Sequence, residues 1–133
     1  MTFIGVEKTE FTSENRAWLA GPHGTEPGTT PSTTLDLATF SDAKFADVIK
    51  SGCVLGKITA TGKFGPYKAD ATDGRQTAAG LLFNTVNRKA GRTYEGNARV
   101  IHAFINESKL PYTSGDGALD TDAKTDLKHL ILV

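Results

Sequence analysis

A chain of 133 residues is long enough for one hydrophobic core and too short for two ordinary domains. Hydrophobic residues make up 38% and charged residues 23%, a globular profile, and the formal net charge is zero. Binding to nucleic acid through bulk electrostatics is therefore disfavoured, because neutralising phosphates needs clustered basic charge. The single cysteine, Cys53, excludes an intramolecular disulfide and, inside an apolar run, reads as a buried and inert thiol. No apolar window approaches the length of a membrane span, and MTFIGVEKTEF at the N-terminus lacks the basic-then-apolar order of a secretory signal.

Residues 1–34 differ from the rest. Gly21-Pro22, Pro27-Gly28 and Pro31 interrupt any helix, and Thr29 to Thr34 is rich in Thr and Ser. Phe3, Ile4, Phe11, Trp18 and Leu19 are the large apolar exceptions, and Ser13 is placed to cap a short helical turn that presents Trp18 and Leu19. Plain disorder predicts few aromatics. The segment is expected to be an extended N-terminal arm that orders on a partner, with those five residues as anchors. The competing reading folds Trp18 back onto the domain.

Residues 35–133 read as a β-rich domain. Leu35 to Phe40 alternates, and Ser41-Asp42 starts a short helix over Ala43 to Ile49. Ser51 to Phe83 is the centre: a strand with Cys53, Leu55 and Ile58, turns at Gly62-Lys63 and Gly65-Pro66, a polar loop broken at Asp73-Gly74, and the apolar run Ala79 to Phe83. Asn87 to Asn97 is expected to be an exposed hairpin or loop, and Arg88, Lys89, Arg92 and Arg99 make a locally basic stretch against the single Glu95. Arg99 to Ile105 predicts a buried strand with His102 outward, and Asp120 is the N-cap of a helix over Thr121 to Lys128. The apolar end Leu130 to Val133 predicts a terminal strand pinned in the sheet. The fold class is mostly β: a small compact β-barrel-like or β-sandwich domain with one or two short helices and an extended N-terminal arm.

The motifs of common chemistries are missing. Gly52 to Lys57 lacks the Gly-Lys-Ser/Thr ending of a phosphate loop, and no serine sits in a nucleophile elbow. His23, His102 and His129 are far apart in the sequence, and a Cys53–His102 thiolate pair has no assignable Asn or Asp. Asp70 and Asp73 read as turn caps, and Ser114 to Gly117 lacks the ligand series of a calcium loop. No catalytic residue, cofactor or metal is expected.

Several stretches carry a family likeness. Ser51-Gly-Cys-Val-Leu-Gly-Lys-Ile-Thr59, the Lys68 to Arg75 loop with Asp73-Gly74-Arg75, and Ala79-Gly80-Leu-Leu82 resemble the head decoration proteins of tailed bacteriophages. The Asp122 to Val133 end is similar to the family's terminal helix and strand, and Trp18 to Thr25 to the arm of some members. The resemblance implies a mostly-β homotrimer at threefold positions on the outer surface of the expanded capsid in the virion. It would cement the major capsid protein against the pressure of packaged DNA, with arms that order on contact, no cofactor, no membrane and no direct nucleic acid. The longer front and the basic Asn87 to Asn97 segment depart from the compact pattern. The alternative is a small β-barrel binding module for nucleic acid or peptide, working through Arg88, Lys89, Arg92 and Arg99.

Overall fold

The computed structural model describes residues 14–89 and 91–133. Among the described residues the strands, in chain order, are β1 (Ser32–Asp36), β2 (Val48–Ile49), β3 (Val54–Lys57), β4 (Phe64–Pro66), β5 (Ala78–Leu82), β6 (Val86–Asn87), β7 (Tyr94–Val100), β8 (Ala103–Ile105) and β9 (Leu130–Leu132), with one α-helix, α1 (Thr121–Asp126). Five of them close a barrel in the order β1-β4-β3-β5-β7, with β7 antiparallel to β1 along five residue pairs from Ser32↔Ala98 to Asp36↔Tyr94. Two two-stranded sheets, β2-β6 and β8-β9, flank it. The mostly-β barrel with short helices is the class expected from the sequence.

The centre of the barrel wall explains the unalternating apolar runs. Along β3, Val54 packs into one hydrophobic cluster and Leu55 into another; along β5, Leu81 and Leu82 divide in the same way. A strand buried on both faces has no solvent side, so its sequence loses the polar alternation. One cluster holds Trp18, Tyr67, Val100, Ile105 and Leu127; the other holds Leu35, Phe40, Phe45, Cys53 and Phe64. A register shift between Leu55 and Gly56 marks the bend of β3 against β5.

Helix α1 is fixed to the wall at both ends. Asp120 caps it as expected, accepting from the Ala123 N–H at 2.8 Å, and the same carboxylate accepts the Tyr67 hydroxyl at 2.9 Å. Asp126 in its last turn accepts from the Ala78 N–H of β5 at 3.0 Å. The helix then stops two residues short of Lys128, because Leu127 leaves helical geometry to turn the chain into β9.

Four expectations need correction. The first concerns the arm over residues 1–34. Residues 32–34 already lie in β1, and Trp18 is 1% exposed within the core. Its ring fits where Gly52 (φ +97°) has no side chain: a Cβ there would lie 2.9 Å from Trp18 Cδ1. Its indole N–H donates to Ser51 Oγ at 3.2 Å, and the Ser51 hydroxyl donates on to the Phe83 carbonyl at 2.7 Å. Trp18 thus roots the N-terminal stretch, and Trp18→Ala is expected to cost about 3–5 kcal/mol.

The second correction is at residues 35–49. The strand sits earlier, at Ser32–Asp36, because Thr33 and Leu35 alternate inward in register with β7. Leu37–Thr39 and Ala43–Phe45 are 3-10 turns capped by Asp36 and Asp42. The third is Asn87 to Asn97, whose second half is the start of β7, while the strand expected over Arg99 to Ile105 breaks at Ile101–His102 between β7 and β8. The fourth is β9, which pairs in parallel with β8 in a satellite sheet outside the barrel.

Candidate functional site

The candidate nucleophile is silent. Cys53 is fully buried, and removal from water raises its pKa well above the ordinary thiol range, so it stays protonated. The neighbouring Tyr112 hydroxyl, accepting from the Lys50 N–H at 3.0 Å, is pushed up to about 12 by burial. Among the described residues no group of three His, Cys, Asp or Glu side chains is placed to hold a metal ion.

Two cations of the basic segment are tied into the fold and two are exposed. Arg88 donates to the carbonyls of Phe40 at 2.8 Å and of Phe45 and Leu37 at 3.1 Å, closing the ends of both 3-10 turns. Arg99 lies 4.6 Å over the Phe64 ring and donates to Thr33 Oγ1 and the Ala79 carbonyl, joining β7 to β1 and β5; burial lowers its pKa. Arg92 pairs with Glu95 at 2.6 Å, and Lys89 is exposed. Two of the four cations named for the nucleic-acid alternative, Arg88 and Arg99, are therefore half-buried and bonded within the fold.

Of the expected anchors, Phe3, Ile4 and Phe11 lie outside the described residues. Trp18 is core, and Leu19 is half-buried, bridged to Ile105 of β8. Around them the stretch is stitched to the barrel: the Arg16 guanidinium lies 4.0 Å over the Phe83 ring and donates to the Phe83 carbonyl at 2.9 Å, and Glu14 accepts from the Thr85 N–H and hydroxyl. The turn at Arg16–Leu19 is capped by Asn15, whose side chain accepts from the Ala17 N–H.

The structure adds an apolar surface that the sequence reading missed. Phe104 (38% exposed), Ile131 (46%), Leu132 (40%) and Val133 (68%) are four of the five exposed large hydrophobic residues among those described. Phe104 and Ile131 are register partners across β8 and β9 and share one face, whereas Leu132, the partner of Ile105, lies on the other. Grouped exposure of this kind on a small sheet marks an interaction surface more often than isolated exposed side chains do. The LILV end carries the signal, but its polarity suggests complete burial and only Leu130 is buried.

The three histidines were expected to be unrelated, yet they meet beside this surface. The His102 ring centroid lies 4.9 Å from that of His23 and 6.4 Å from that of His129, and His23 is 5.3 Å from Phe104.

The apolar surface and the tethered N-terminal stretch are consistent with a binding or structural role. No curated protein and no solved structure matches the chain. A sequence model of one family, bacteriophage lambda head decoration protein D, matches residues 27–131, which takes in the whole barrel, α1 and most of β9. The chain belongs to that family.

Proposed function

We propose that the protein decorates the outside of an expanded phage head, binding the major capsid protein at threefold positions as a homotrimer and holding the shell against the pressure of packaged DNA. The observation that carries this reading is the family match over residues 27–131. Two physical features support it. The Phe104–Ile131 surface offers apolar area suited to a neighbouring subunit or to the shell. The stretch fixed by Glu14, Arg16 and Trp18 gives residues 1–13 a firm base, and Phe3, Ile4 and Phe11 on that segment serve as the shell anchors. We propose that this segment binds by adding a strand to the shell, with main-chain bonds for affinity and alternate side chains for register. Three linked copies then raise the effective affinity of a weak single contact.

Residues 18–34 are part of the folded domain, so the informative truncation stops before them. Removing residues 1–13 is expected to leave a folded trimer that no longer co-sediments with expanded heads. Undiminished co-sedimentation of the truncated protein would contradict the assignment of the anchors.

A further inference from the structure

All three histidines of the chain come from different segments and converge on one seam. His23 lies in the loop after the N-terminal root, His102 at the step between β7 and β8, and His129 in the turn that leads into β9. The seam is where residues 18–24 run along the edge of β8 that β9 leaves free. The Asn106 N–H donates to the Trp18 carbonyl at 2.7 Å, and the Ala20 N–H to the Phe104 carbonyl at 2.9 Å. Gly24 (φ +95°) lies flat on β8: a Cβ there would come within 2.5 Å of the Ala103 Cβ. The imidazoles therefore sit over a contact made largely of a few backbone bonds.

We propose that this cluster is an acid-sensitive latch that holds Ala20 to Glu26 on β8 and controls how much of the Phe104 surface is uncovered. Neutral imidazoles pack edge to face, as His23 and His102 do. A protonated imidazole is a cation, and each proton gained here places a positive charge beside another ring. The latch is closed while the rings are neutral and opens as they take up protons.

The other charged groups shape this response. Glu26 lies 3.9 Å from His23, and the N–H groups of Glu26 itself and of Gly24 hold its carboxyl below the usual range, so it is an anion throughout and offsets the charge on His23. It does not reach the His102–His129 pair through any contact. Lys128, exposed beside His129, adds positive charge, whereas Asp126 is turned to the Ala78 N–H and Arg99 to Phe64 and Thr33. The opening stops at Trp18, whose buried ring and bond to Ser51 keep the root in place. The inference uses only the folded domain and stands whether or not the shell is its partner.

Amide hydrogen exchange of the full chain at about pH 7.5 and about pH 5, corrected for intrinsic exchange, tests it. Protection of the Ala20 amide is expected to fall on the order of tenfold in acid, from the one like-charge contact, His23 to His102, that crosses the seam near a solvated surface. The Leu82 amide, bonded to the Cys53 carbonyl inside the barrel, should keep its protection. His102→Gln and His23→Gln should each abolish the step, the latter, at an exposed position, without disturbing the core. Equal Ala20 protection at both pH values would overturn the proposal. So would a step that persists in either variant, or a parallel loss at Leu82 that reports global acid unfolding.

Discussion

Arg88 shows how little a cation's position in the sequence says about its work. Its guanidinium ends among three backbone carbonyls from residues 37, 40 and 45, more than forty positions away. A neutral residue of similar length would leave carbonyls without a donor in a half-buried site. Arg88→Met is therefore expected to lower stability by about 3 kcal/mol in urea denaturation. Arg92→Ala, which removes only a surface pair with Glu95, should change it by less than about 0.5 kcal/mol. Equal losses would mean that the Arg88 contacts carry no net stability. Trp18 makes the same point from the apolar side. Its polar, proline-rich surroundings suggest a partner elsewhere, but the gap it fills is made by Gly52 and Ser51, thirty-three residues on. Long-range complementarity of that kind leaves no local periodicity.

At the scale of elements, the sequence is most legible where local chemistry decides the outcome. Asp120 caps α1, the Ala79 to Phe83 run forms most of β5, and Gly62 and Asp73-Gly74 mark the turns around β4, though Gly65-Pro66, expected as a turn, lies within β4 itself. It is least legible where pairing decides. β1 is a strand because β7 lies beside it, and its Ser-Thr-Thr start resembles linker as much as strand. The histidine cluster and the Phe104–Ile131 surface likewise exist only once β8 and β9 are paired. Because β9 stands outside the barrel and exposes Ile131, Leu132 and Val133, deleting residues 131–133 should leave the barrel formed. The loss should be about 1–2 kcal/mol, from a few ladder bonds and little buried area. Loss of the native near-ultraviolet circular dichroism signal in that truncation would show instead that β9 is needed for the barrel to close.

For the whole molecule, closure is the organising fact. β1 returns to pair with both β7 and β4, which leaves the barrel without a free edge and moves open edges to the small satellite sheets. The family match from residue 27 to residue 131 follows the barrel and its attachments, and the rooted stretch from Glu14 to Leu19 precedes it. The core is thus a platform with a fixed base for its N-terminal segment and an apolar flank, the two parts through which shell binding is proposed. Electron microscopy of expanded heads with and without the added protein tests that claim most directly. Three copies of extra density on the outer surface at the threefold positions are the predicted result, and shells that look the same with and without the protein would contradict it.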